Sequence, residues 1–373
     1  MKNIKKKLSL FLIFSFVFGL FPVIGYAAPV PESTIQPDLF IYSQPCPDDI
    51  STFAINNFYP LLSSSISNGT LPISSDSITS FSLGSPFTIT EQSTQTEVYY
   101  FPVFSEKTLI GTFRIFLDGD HYAGILSQYL SDELNSLINK TSIDSPAHLY
   151  FDCDNLMVAY GEKHELLLSS PFGDSPSGIN INSDDLIVTS LSKELKNVES
   201  ISLLSPADDS PPPIKLNIIE TQGANSWCYA YCASIIIRYV KGYDDNPNAE
   251  GFMKLALGRT PSTSDSLDAT QVVNTAVMYY DLYPSYSANT EISQSISDLW
   301  HDVPVFLRCS DSGGGHHAIV LRGYDSASGT YSIWNPWHDF YETMTYTLTY
   351  TTGSRKFTWV GTINGWYNGR YVQ

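Results

Sequence analysis

Four residues in the second half of the chain have types and spacing suited to thiol chemistry. Cys228 stands in Gln222-Gly223-Ala224-Asn225-Ser226-Trp227-Cys228-Tyr229, six residues after Gln222. His317 opens the apolar run His317-Ala318-Ile319-Val320-Leu321, and Asn335 closes the next one in Trp334-Asn335-Pro336-Trp337. A thiol attacks as its thiolate, and a free one titrates near pH 8.5, so its surroundings must lower that value. A helix N-terminus and a nearby imidazolium both do so. The imidazole must itself be oriented by a hydrogen-bond acceptor. Cys228 as nucleophile, His317 as base, Asn335 as orienting group and the Gln222 amide as an oxyanion donor make up such a set. Each residue alone has a plainer reading: an inert buried thiol, a satisfied strand histidine, an Asn-Pro turn. Their order, each at the end of an element, favours the chemical one.

The elements that must hold these side chains are legible in the same stretch. After an extended segment at 214–219, apolar Ala233, Ile236, Ile237 and Val240 recur at helical spacing. They predict a buried helix over about 226–239, with Asn225 or Ser226 as its N-cap and Cys228 in its first turn. Further helices are predicted over 268–279 and 291–300, then strands at 305–308, 318–324, 331–334, 344–348 and 357–362. A hairpin turning at 325–329 brings His317 and Asn335 to face one another at its open end. Trp337 is then placed to shield their hydrogen bond from water. Strand alternation sends His316 to the face opposite His317, so only one of them can be the base. Cys232, one helical turn after Cys228, reads as a core thiol, as the disulfide partner of Cys309, or as half of a redox pair with Cys228.

The rest of the chain is different in kind. Residues 28–213 carry 24 acidic and 6 basic side chains, residues 214–373 carry 14 and 10. That asymmetry suggests two modules, and the acidity argues against nucleic acid or an anionic membrane as a partner. Strands are predicted at 98–104, 111–117, 122–127, 147–151 and 156–160 and a helix at 130–138, whereas 29–95 has weak periodicity. His121 and His164, each beside an acidic residue, read as solvated edge residues. Between the modules, Ser205-Pro206-Ala207-Asp208-Asp209-Ser210-Pro211-Pro212-Pro213 reads as an exposed linker. At the start, Lys2, Lys5, Lys6 and Lys7 precede an apolar run and a small-residue site at Gly25 and Ala27, the pattern of a signal peptide over 1–27 and hence of secretion. Five cysteines leave one unpaired in an exported chain, with Cys46–Cys153 a possible pair.

With these residues in view, the C-terminal module resembles the papain-like cysteine peptidases over about 160 residues. Gln222 matches the oxyanion glutamine, Cys228 the nucleophile, His317 the base, and Asn335 with Trp337 the Asn-x-Trp element. The short spacing and the Trp334–Trp337 run look more like the staphopain group of secreted bacterial enzymes. Trp227 lies before the nucleophile, where papain has its Trp after it. The resemblance implies an α+β fold in which a papain-like domain at 214–373, helices first and antiparallel sheet after, follows a β-rich α+β pro-domain at 28–204 and the linker at 205–213. It implies protein or peptide substrates, no cofactor and no metal, and a pro-domain that blocks the cleft as an intramolecular inhibitor. Rival readings are a cell-wall amidase, a transglutaminase-like thiol enzyme, or a non-catalytic secreted binding protein on the same fold.

Overall fold

The computed structural model describes residues 38–73, 80–92, 96–161, 163–170, 186–198 and 210–368. The expected signal segment and residues 205–209 of the linker lie outside them. From Asp38 on, the described residues pack as one unit of mixed α+β structure.

The first part is β-rich. In order it contains β1 (Phe40–Ser43), α1 (Asp48–Ser67), β2 (Phe81–Gly84), β3 (Phe87–Glu91), β4 (Thr96–Ser105), β5 (Thr108–Asp118) and β6 (His121–Ser127). α2 (Ser131–Leu137), β7 (Ala147–Asp152), β8 (Asn155–Tyr160), β9 (Lys163–Leu168), β10 (Ile187–Ser190) and β11 (Glu194–Val198) follow. β3, β4, β5 and β6 form an antiparallel meander, and β7 adds to β3 and β1 in parallel. The weakly periodic stretch before residue 95 conceals α1, a 20-residue helix with Pro60 inside it.

The second part places its helices first: α3 (Cys228–Lys241), α4 (Ala249–Leu257) and α5 (Ala269–Tyr280). Then come β12 (Ser285–Ser287), α6 (Ile292–Trp300), β13 (Val305–Ser310), β14 (His316–Asp325), β15 (Thr330–Trp334), β16 (Tyr341–Thr345), β17 (Thr349–Thr352) and β18 (Arg355–Asn364). The sheet runs β18, β13, β14, β15, β16, every pair antiparallel. α3 carries Ile235, Ile236 and Ile237, β-branched residues that disfavour an isolated helix. Burial outweighs that preference, since all three are at most 1% exposed. Gly242 ends the helix in the left-handed conformation, its N–H and that of Tyr243 closing onto Tyr239 and Arg238.

The buried apolar side chains fall into separate clusters. The largest draws on residues 214–366 with Ile125 added, and two smaller ones are confined to 39–198. What joins the parts is one strand pair and a set of polar contacts. β6 adds antiparallel to the free edge of β16, with Ser127 opposite Glu342 and Ile125 opposite Met344. Ser64 and Thr70 hydrogen-bond Thr330 and Thr343 at 2.8 and 2.9 Å. Lys356 Nζ donates to the Leu117 carbonyl, and the Asp118 carboxylate accepts from Thr347 and Thr349.

Two expectations need correction here. The linker residues that are described are not free: Ser210 is 7% exposed, its hydroxyl accepts from the Ser326 N–H at 2.9 Å, and Ile214 N–H donates to Arg322 O at 2.7 Å. Three prolines hold this stretch extended, so it lies along β14 instead of looping away. The strand expected at 344–348 is cut at Thr345, because Thr347 turns its hydroxyl to Asp118 and accepts from Thr349 N–H.

Candidate functional site

Cys228 is the first residue of α3, and Trp227 before it caps the helix without any side-chain hydrogen bond. Neither Asn225 nor Ser226 fills that role. Asn225 Oδ1 instead accepts from Trp227 N–H at 3.1 Å, one residue too early to reach the first helical turn. The unsatisfied N–H groups of the helix start are therefore left for the sulfur. Those of Cys228 and Tyr229, with the backbone N–H of Ala318, act on the thiol in the direction of the thiolate. Ala318 follows His317 directly, so the thiol lies by the peptide group that leaves His317. Burial dominates these donors and pushes the thiol up to about 12.

His317 is 1% exposed near the start of β14, while His316 beside it faces solvent. Its Nε2 lies 2.9 Å from Asn335 Oδ1, so Nδ1 is the ring nitrogen left for the thiol. The β14–β15 hairpin makes this meeting possible: Asp325 pairs Thr330 next to the turn and Val320 pairs Trp334 near the open end. Trp337 does more than shield the bond. Its ring stacks on the imidazole at 4.0 Å and 19°, and its backbone N–H donates to Asn335 Oδ1 at 3.2 Å. Burial pushes His317 down to about 3, with the field of Arg355 acting in the same sense and the Asn335 hydrogen bond against it. The buried pair is thus neutral, thiol and imidazole.

Gln222 is tied to the same turn, its N–H donating to Pro336 O at 2.6 Å. Its side-chain Nε2 donates to Asn225 O at 2.6 Å, which leaves the second hydrogen of that nitrogen for an oxyanion. His317 and Asn335 meet directly, Gln222 is tied to the turn after Asn335, and the Cys228 thiol lies by the peptide that follows His317. A cavity of about 610 Å³ reaches Gln222, Gly223 and Trp337, and Tyr129, Glu133 and Asp154 of the first part also line it. Arg355 on its wall pairs with Asp154 at 3.4 Å and with Asp311 at 3.7 Å.

Sequence reading did not find Tyr350, Glu342, Phe357 or His338, all of which border this assembly. Asn335 Nδ2 donates to Tyr350 Oη at 2.7 Å, and the Phe357 ring lies 5.1 Å from the imidazole. Only strand alternation around Tyr350 could have hinted at an inward side chain, and it could not have named the target. His148 is a third histidine of the first part, buried and held down to about 4 by burial and by His164. No disulfide forms among the five cysteines, so neither Cys46–Cys153 nor Cys232–Cys309 is linked. Cys232 is fully buried, packed in the core with Cys309. Among the described residues no group of three or more His, Cys, Asp or Glu is set to hold a metal, and no helix is long and apolar enough to cross a membrane.

A family model described as the Peptidase_C39 like family matches residues 215–362. That span contains every residue of the site and ends within β18. It supports a cysteine peptidase-like family for the second part of the chain. No curated protein matches the sequence.

Proposed function

We propose that the protein is a secreted cysteine endopeptidase of the staphopain-like kind, made as a latent precursor in which residues 28–204 act as pro-domain and residues 214–373 as the enzyme. One observation carries the reading. The far nitrogen of His317 is held by Asn335 at 2.9 Å, and the peptide N–H that follows His317 acts on the Cys228 thiol in the direction of the thiolate. This supports an order of nucleophile, base and orienting group, as acyl transfer requires.

In the reaction His317 Nδ1 takes the Cys228 proton, and the thiolate attacks the peptide carbonyl. The second hydrogen of Gln222 Nε2 and the Cys228 N–H receive the oxyanion, donors of a kind worth about 3–4 kcal/mol each. His317 then protonates the leaving amine, and water, activated by the same imidazole, hydrolyses the thioester. Latency fits a thiol held up and an imidazole held down by burial, since uncovering the cleft favours the charged forms of both. The first part of the chain also lines the cavity that reaches Gln222 and Trp337, which supports its assignment as the covering element.

The test is Cys228→Ala in the full chain, secreted and given casein, a short peptide and peptidoglycan. The variant is expected to hydrolyse nothing and to stay uncut between its two parts, while the wild type degrades casein. Turnover of casein by the variant at the wild-type rate overturns the assignment, and wild-type action on peptidoglycan alone favours an amidase.

A further inference from the structure

The hydrogen bonds that begin at His317 do not end at Asn335. Tyr350 Oη lies 2.7 Å from Asn335 Nδ2 and 2.6 Å from Glu342 Oε2. All four groups are at most 3% exposed, so water does not compete for them. A phenol has one proton, and the Glu342 carboxyl, raised by burial to about 7, can only accept once it is ionised above that pH. The Tyr350 hydroxyl therefore donates to Glu342 and must accept from Asn335. That obliges the amide to turn Nδ2 toward Tyr350 and Oδ1 toward His317.

The consequence reaches the sulfur. The two ends of an Asn side chain have nearly the same shape, so packing alone discriminates poorly between its two orientations, and besides Tyr350 only the long 3.2 Å bond from the Trp337 backbone N–H to Oδ1 reads the difference. A flipped amide presents N–H to His317 Nε2, which must then accept. The ring proton moves to Nδ1, and the nitrogen facing the thiol can no longer take its proton. Glu342 also faces the first part: Ser127 of β6 lies opposite it in the strand pair, and Ser127 and Arg114 of β5 both favour its ionised form. We propose that Tyr350 and Glu342 are positioning residues that lock the Asn335 amide, and through it the His317 tautomer, in the form that can act as a base. The inference rests on the peptidase reading only for its kinetic consequence, because the lock itself is a property of the folded chain.

The experiment combines kinetics with the nitrogen-15 spectrum of the histidine rings in the full-length protein. Tyr350→Phe removes one oxygen from a buried ring, and Glu342→Gln keeps an acceptor for Tyr350. After cleavage between the two parts, Tyr350→Phe is expected to lower kcat on a peptide substrate by about 10- to 100-fold, the range associated with small misplacement of a reacting group. KM should stay within about twofold, since no substrate contact is lost. Glu342→Gln should keep most of the wild-type kcat, whereas Glu342→Leu should behave as Tyr350→Phe. In the uncut chain His317 should show a single Nε2–H tautomer in the wild type and a mixture in Tyr350→Phe. Wild-type kcat together with an unmixed tautomer in Tyr350→Phe overturns the proposal. If the wild type hydrolyses no peptide while the tautomer responds as expected, the lock stands and the peptidase reading falls.

Discussion

At the scale of the residue, the site is governed by which nitrogen of His317 is occupied. Asn335 takes Nε2, and Trp337 lies flat on the ring at 4.0 Å, so the imidazole can neither rotate nor exchange its partner for water. A base held this way needs no large change of geometry to begin work, only the removal of what keeps it dry. The two residues differ in what they contribute, and their variants should differ accordingly. In a serine triad, loss of the base costs about 10⁶ in kcat and loss of the orienting acid about 10⁴. The same ranking is expected here: His317→Ala abolishes measurable turnover, and Asn335→Ala leaves a residue of activity about a hundredfold or more above it. Single-turnover acylation with an activated ester reads this out. Equal and complete loss in both variants would make Asn335 a structural residue.

At the scale of the element, an α-helix start supplies donors to the sulfur, a hairpin brings His317 to Asn335, and a strand from the first part closes the sheet edge. β16 without β6 would expose a row of unpaired backbone groups. Asp118 sits where this junction is most polar, its carboxylate accepting from both Thr347 and Thr349 while Lys356 donates to the neighbouring Leu117 carbonyl. Asp118→Ala should loosen the first part from the second at a cost of about 1–3 kcal/mol, the range for hydrogen bonds to a charged group. A lower urea midpoint and faster cutting between the parts by an added protease are the expected signs; an unchanged midpoint would mean that the strand pair alone holds them. The helices and strands that carry Cys228, His317 and Asn335 could be read from the sequence because each has a local period and a boundary residue. α1 could not, since Pro60 and the polar Ser63, Ser64 and Ser65 mask its pattern; those serines are buried, and Ser64 hydrogen-bonds Thr330 of the second part. Tyr350 and Glu342 escaped for another reason. Tyr350 reaches Asn335 and Glu342 across strands by side chain alone, and no local spacing records that, nor that Ser127 lies opposite Glu342.

At the scale of the whole molecule, the buried titratable groups predict how the covered state responds to acid. Burial holds His317 and His338 down to about 3 and His148 down to about 4, while an unfolded histidine titrates near 6.5. Between those values the unfolded chain binds protons at these three sites and the folded chain does not, so stability falls as pH falls. Glu342 works the other way. Burial raises it to about 7, so the folded chain keeps a proton there that the unfolded chain releases above about 4.5, and Glu133 is raised by burial in the same sense. Three protons taken up on unfolding, less the one released at Glu342, leave a net uptake of at most about two near pH 5.5, and Glu133 acts to reduce it. That corresponds to at most about 2.7 kcal/mol of stability lost per pH unit between roughly 6.5 and 4.5. Urea midpoints of the Cys228→Ala chain, which cannot cut itself, should drop across this window. His148→Gln, in the first part, should flatten the slope by about one proton, and Glu342→Gln should steepen it. A midpoint that holds level from pH 6.5 to 4.5 would mean that the three imidazoles take up protons in the folded chain, and acid could then play no part in uncovering the cleft.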